Sequence, residues 1–320
     1  MALYKNSKLV YYIRSFFFYF TPKRFCKLHI EQSMQKLTVS EQTYVKRRIS
    51  YYNKLSATTL PVEQSLPLSS FLRPKKKKGH SSHSSYFFDT YEHTRYFKDT
   101  LRISYRFGDV TEVPAVPSFV KSRPIAGNNE NSVLLKLNKV RHFMFLKDSI
   151  PYAEKQDKLV GRAVVHQPKR ILFWEKYFGH PMCDLGSIDK DLSFHPEWHV
   201  GFLSIQEHLR YKFILCIEGN DVATNLKWVM SSNSLAVMPP PVYETWFMEG
   251  TLIPDYHYVA IKADYSDLEE RLQYYLLHTD KALAIIEHAQ EYVRQFMHPK
   301  REKLISQVVI QQYFEKTGQL

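Results

Sequence analysis

From Asp157 onward, short apolar runs alternate with amphipathic stretches across brief polar joints, a rhythm few folds accommodate. "KLVGRAVV" (158–165), "CDLGSI" (183–188), "YKFILCI" (211–217), "LAVM" (235–238) and "HYVAIK" (257–262) carry strand residue types. "KRILFWEKYFG" (169–179) and "TNLKWVMSS" (224–232) between them read as helices. Runs that stay apolar on successive residues suit strands buried on both faces. Strands alternating with helices through short loops predict a parallel sheet covered by helices, an α/β fold. Two amphipathic helices close the pattern. "SDLE" (266–269) fits a capping box with Ser266 as N-cap and Glu269 reaching back. In "TDKALAIIEHAQEYVRQF", Leu283, Ile286, Ala289, Tyr292, Val293 and Phe296 share one face.

The joint after "YKFILCI" is the most informative. Gly219, Asn220, Asp221, Thr224 and Asn225 fall between a strand and a helix, where open α/β sheets bind ligands. Backbone N–H groups at such a helix start attract phosphate, and the helix dipole helps. Gly219 would permit close backbone approach, Asn220, Thr224 and Asn225 supply neutral donors, and Lys227 adds a cation one turn in. An ordinary helix capped by Thr224 or Asp221 fits the same residues, since no GxGxxG or Walker pattern is present.

At 320 residues the chain is long enough for two domains. Its 44 Lys and Arg against 32 Asp and Glu, a net charge of +12, favour a polyanionic partner: nucleic acid, an anionic membrane face or a phosphorylated substrate. No nucleic-acid-binding motif accompanies the charge. Cys26, Cys183 and Cys216 form no disulfide framework or CxxC pair, which suits a reducing compartment. "LRPKKKKGHSSHSS" (72–85) reads as an exposed low-complexity loop. Near the N-terminus, "LVYYIRSFFFYF" (9–20) is too short to span a bilayer and is broken by Arg14. Flanked by Lys5, Lys8, Lys23 and Arg24, it suits either a membrane interface or an amphipathic core helix. "DKD" (189–191) imitates a metal-binding DxD, and "HPEWH" sets His195 and His199 four apart. The histidine pair has no third ligand or adjacent Glu pattern, and neither stretch is expected to hold a metal.

Residues 101–297 resemble glycosyltransferase family 90, and most nearly its bacterial LpsA-type lipooligosaccharide transferases. The matching segments stand in family order: "GDVTEVPAVPSFVKSRPI", "NSVLLKLNKVRHF", "DKLVGRAVVHQPKR", "MCDLGSI", and the long run from "YKFILCIEGNDVATNLKWVM" through "PPPVYETWFMEG" to "SDLEERL". Residues 1–100 contribute little to the resemblance. It implies a GT-B architecture, two Rossmann-like domains facing across a cleft. An acceptor-side domain is expected over 1–150 and a nucleotide-sugar domain with closing helices over 151–320.

The resemblance also assigns roles. Asp109, in "DVTEVP", matches the family's catalytic base, and an inverting transfer needs a carboxylate to take the acceptor's proton. Arg162 and Arg170 would neutralise the departing diphosphate. The family's Trp-Arg-Gly element is altered here to Gly161-Arg162 without the Trp, and Asn225 replaces an Arg of the eukaryotic members. Glu244, in "VYETWF", would meet ribose hydroxyls, while Tyr243 and Trp246 suit packing. The donor is then UDP-glucose or UDP-galactose, no metal cofactor is expected, and the acceptor is the heptose region of lipooligosaccharide. This sets the protein in the cytoplasm, peripheral on the inner face of the cytoplasmic membrane. A nucleic-acid-binding protein and a non-catalytic sugar-nucleotide-binding relative are the competing classes.

Overall fold

The computed structural model describes residues 3–4, 8–26, 28–72, 84–189 and 195–320. The lysine run at 75–78 and Asp191 lie outside the described residues. The fold is mixed α/β, and its contacts divide the chain into two compact units. One gathers Asn6–His142, Tyr243–Met248 and Phe296–Leu320; the other gathers Met1–Lys5, Phe143–Val242 and Glu249–Gln295.

The second unit holds the expected parallel sheet. Its strands are β1 (Gln156–Ala163), β2 (Cys183–Ser187), β3 (Tyr211–Leu215), β4 (Leu235–Met238) and β5 (Val259–Ala260). All four pairings are parallel, in the order β2-β1-β3-β4-β5. Adjacent residues such as Leu159 and Val160, or Phe213 and Ile214, are both buried, because both faces of the sheet are covered. Helix α1 (Pro168–Tyr177) contributes Phe173 and Trp174 to the core beside Leu159, Phe213, Leu235 and Val259. Gly161 sits in mid-strand because a Cβ there would lie 2.9 Å from Leu185 Cδ2 and 3.1 Å from Leu215 Cδ2.

Four local expectations are corrected. The helix read over 224–232 shrinks to α2 (Leu226–Val229), since Ser231 and Ser232 turn their hydroxyls onto the Trp228 and Val229 carbonyls. Asn225, not Thr224 or Asp221, is its N-cap, and it makes no side-chain capping bond. The capping box at Ser266 does not form: Asp264 accepts from both the amide and the hydroxyl of Ser266, and helix α3 (Leu268–Leu277) starts from Asp267. Capping boxes form instead at Thr38 with Glu41 and at Ser204 with Glu207. In α4 (Thr279–Arg294) the buried stripe is Ala282, Ile285, Ile286, Ala289 and Val293, which leaves Leu283 half exposed.

The first unit is built on a small parallel sheet, Tyr105–Arg106 beside Ser118–Val120 beside Ser132–Leu134. Helices Lys8–Phe20, Val39–Tyr52, Ser84–Thr94 and Pro299–Lys316 belong to the same unit. The returning segment Tyr243–Met248 is clamped there. Its strand Tyr243–Thr245 runs antiparallel to Ser122–Pro124, and Trp246 stacks on Tyr52 with ring centroids 3.8 Å apart. Glu302 sits 2.5 Å from Arg48 and accepts from the Trp246 indole at 2.7 Å. Burial opposes its charge, but Lys136, Arg48 and Trp246 outweigh that and hold its carboxyl below the usual range.

Candidate functional site

The order β2-β1-β3-β4-β5 reverses direction between β1 and β3, and ligands of doubly wound sheets bind beyond the carboxyl ends of the strands at that reversal. The loop after β1 leads into α1, whose first turn holds Pro168, a residue suited to a helix start. The loop after β3 is the Gly219 segment. Three side chains stitch the two loops together. Arg170 donates from Nη1 to the Val164 carbonyl at 2.9 Å and from Nη2 to the Ile217 carbonyl at 3.2 Å. Lys169 pairs with Glu218 at 2.8 Å, and Gln167 Nε2 donates to Asn220 Oδ1 at 3.2 Å. Glu218 in turn accepts from the Val242 amide at 2.9 Å.

Gly219 has a specific reason to lack a side chain. Its Cβ would lie 3.0 Å from Arg170 Nη2 and 3.3 Å from Cζ, so the absence of a methyl lets the guanidinium lie against the loop. Arg170, Gly219 and Asn220 are thus brought together, with Asn220 exposed and Gly219 half buried. Thr224 is half buried further along the loop, and Asn225 Nδ2 donates to the Leu215 carbonyl at 2.8 Å, fixing the end of β3.

The other residues expected to face the donor stand elsewhere. Arg162 reaches across to β2: Nη2 meets Asp184 Oδ1 at 2.7 Å, Nη1 the Asp184 carbonyl at 2.8 Å, and Nε the Gly201 carbonyl at 3.3 Å. Asp184 also accepts from the Tyr211 hydroxyl. Burial works against its charge, yet Tyr211 and Arg162 hold its carboxyl below the ordinary value, while burial and Asp184 push the Tyr211 phenol up to about 12. Lys227 is wholly buried, 2.6 Å from Glu249. Glu244 lies in the first unit at 1% exposure; Arg123 Nε donates to its Oε1 at 2.8 Å and the Tyr51 hydroxyl to its Oε2. These residues hold the framework.

The first unit places Asp109 where its small parallel sheet ends. Strand Tyr105–Arg106 runs out at Phe107, and Gly108 takes φ +110°, a conformation side-chain-bearing residues rarely adopt. Ser122 Oγ accepts from the Val110 amide at 3.2 Å and donates to the Val110 carbonyl at 3.1 Å, pinning the loop. Lys121, directly after the neighbouring strand, meets Asp109 Oδ1 at 2.5 Å with its own side chain 2% exposed. Asp109 is exposed, so a carboxylate is oriented on one side and open to solvent on another. Glu112 is exposed as well. Sequence reasoning missed Lys121 and the bridging set Gln167, Lys169 and Glu218. The adjacent cations 169 and 170 opening a helix after a strand were the only visible signal.

Among the described residues no three His, Cys, Asp or Glu side chains are grouped to hold a metal ion. His195 meets Glu197 at 2.7 Å and His199 the Asp189 carbonyl at 3.0 Å. A cavity of about 230 Å³ in the second unit is lined by Asp255, Arg271, Tyr275, Lys281 and His288 among others, not by the loops after β1 and β3.

A parallel α/β unit with two loops meeting at its switch point belongs to a class of folds in which ligands commonly bind at that edge. The comparisons narrow that class. Residues 186–315 match glycosyl transferase family 90. The O-glucosyltransferase LpsA of Dichelobacter nodosus is 44% identical over 270 residues, covering 84% of this chain and 82% of that protein. Protein O-glucosyltransferase 3 of Homo sapiens is 29% identical over 111 residues, 34% of this chain and 22% of that protein. The chain belongs to glycosyltransferase family 90.

Proposed function

We propose that this protein transfers a hexose from a UDP-sugar to the inner-core heptose region of lipooligosaccharide, working from the cytoplasmic face of the inner membrane. Glucose is the hexose supported by the name of the LpsA relative. The observation that carries the reading is Arg170, locked across the Val164 and Ile217 carbonyls beside Gly219 and Asn220 at the switch point. A guanidinium so placed meets a diphosphate through charge-assisted hydrogen bonds and stabilises the charge that develops on UDP as the sugar leaves. Asp109 takes the proton of the attacking acceptor hydroxyl, and the anomeric centre inverts. Thr224 and Asn225 shape the loop around the nucleotide, whereas Arg162, Lys227 and Glu244 hold the strands and segments that present it. The GT-B architecture and a division into acceptor and donor domains belong to this reading, supported by a parallel sheet in each compact unit. No metal takes part, since the diphosphate charge falls to Arg170.

The test is ligand-induced stabilisation, because a ligand of the native state must raise its melting temperature. UDP raises it, GDP and CMP do not, and Arg170→Ala removes the UDP shift while retaining the fold. A shift with another nucleotide and none with UDP overturns the donor. Activity survives EDTA; loss on chelation that manganese restores overturns the metal-free mechanism.

A further inference from the structure

Helix Lys8–Phe20 has thirteen residues and no buried one, which is unusual for a segment with eight Tyr, Phe or Ile side chains in its sequence. Its aromatic content is divided between two faces. Tyr11, Tyr12, Phe16 and Tyr19 turn toward helix Ser84–Thr94. The Tyr11 hydroxyl donates to Asp89 Oδ1 at 2.8 Å, and edge contacts join Phe16 to Phe88 at 5.1 Å and Tyr19 to Phe87 at 5.7 Å. Leu9, Val10, Ile13, Phe17 and Phe20 turn outward, each between 61% and 74% exposed. At the α-helical turn these five fall within an arc of roughly 100°. Phe25, 67% exposed, stands just beyond the helix end. The polar tie at Tyr11 and the aromatic contacts fix which face looks out.

The charge around this face says what covers it. Residues 1–30 contain six Lys or Arg and no Asp or Glu; the first acid is Glu31. Lys8 begins the helix, Arg14 interrupts it with a side chain 70% exposed and 3.7 Å from Glu92, and Lys23, paired with Asp99, and Arg24 follow it. A second copy of the chain would bring like charges against like. A lipid surface with anionic headgroups meets both features at once, apolar side chains entering the acyl boundary and cations resting at the phosphates. Among the described residues no helix is long and apolar enough to cross a membrane.

We propose that the outward face of helix Lys8–Phe20, with Phe25, is a membrane-interface anchor selective for anionic lipid. The inference deepens the membrane-side part of the function proposed above and is independent of its donor chemistry. The experiment is co-sedimentation of the full chain, without nucleotide or acceptor, with vesicles of phosphatidylethanolamine and phosphatidylglycerol or of phosphatidylcholine alone. Binding to the anionic vesicles is expected, weakening as salt rises. The triple variant Ile13→Asn, Phe17→Asn, Phe20→Asn reduces it at least about tenfold, on the scale of burying such side chains. Lys8→Gln and Arg24→Gln, which spare the apolar face, each reduce it about fivefold. The UDP melting shift persists in both sets, which verifies folding and separates loss of lipid binding from failure of the donor assignment. Equal binding to phosphatidylcholine, anionic binding untouched by the triple variant, or no vesicle binding overturns the proposal. A dimer that the triple variant disperses, without vesicle binding, also overturns it in favour of a second copy.

Discussion

Lys227 offers the clearest contest between a binding and a structural role. Its position at the start of the short helix after the Gly219 loop suits a phosphate cation, yet its side chain is 0% exposed and lies 2.6 Å from Glu249, itself 1% exposed. Lys227→Met leaves a carboxylate buried without that cation. Breaking such a pair costs about 3–5 kcal/mol, a large share of the roughly 5–15 kcal/mol that holds a domain together. For a unit of this size that lowers the melting temperature by about 10 °C. The double variant Lys227→Met, Glu249→Met replaces both charges with apolar groups of similar volume. It recovers to within about 1–2 kcal/mol of the parent, since a buried pair exchanged for packed side chains is often nearly neutral. Urea unfolding of the four proteins in the cycle yields the coupling energy, expected to exceed about 2 kcal/mol. UDP titration of the double variant supplies the second reading. A cation lost from a diphosphate would weaken binding about ten- to a hundredfold, whereas a framework lysine leaves affinity nearly unchanged. If Lys227→Met unfolds within about 1 kcal/mol of the parent and loses UDP binding, the structural reasoning fails.

Asp109→Asn should leave UDP affinity nearly unchanged and lower the transfer rate by about 10² to 10⁴, the usual worth of a positioned base. A thermal melt must accompany it, because buried Lys121 loses its carboxylate partner; Glu112→Gln is the matched control and stays active. A second prediction concerns pH. His93 is buried, and burial, with Lys139, Lys303 and Lys136 nearby and only Glu92 opposing, lowers its imidazole to about 4. The unfolded chain binds that proton near 6.5, so the stabilisation is whole above 6.5 and is lost as pH falls toward 4, at most about 3 kcal/mol. His93→Gln should flatten the stability profile in that window, and an unchanged slope would remove His93 from it.

Strands proved easier to read than helix ends. "LAVM" is β4 residue for residue, because a run apolar at every position can be buried only between two covered faces. Helix ends depend on which local hydrogen bond wins. Ser231 and Ser232 stop α2 by capturing carbonyls, and Asp264 takes Ser266 away from the helix it was expected to cap; both outcomes turn on competition between side chains that composition does not rank. At the site, Gly219 and Asn220 were legible because a strand–loop–helix joint is local in sequence, and Arg170 entered only through the family resemblance. Lys121 and Gln167 were not, since each meets its partner only through the order in which strands pair. Glu244 shows the reverse: its likeness to a ribose ligand is a matter of sequence, and its pairing with Arg123 is a matter of register.

The clamped return of Tyr243–Met248 and the helix Pro299–Lys316 bear on how this chain is born. Arg48 enters the first unit early, yet its carboxylate partner Glu302 lies 254 residues later, and Tyr52 waits nearly as long for the Trp246 ring. During synthesis the N-terminal unit therefore stands with an uncompensated guanidinium and an uncovered aromatic slot while the parallel-sheet unit is being made. Nascent chains expose that unfinished surface for most of their elongation. A stop codon ahead of Glu302 therefore strikes the part of this unit that was made first.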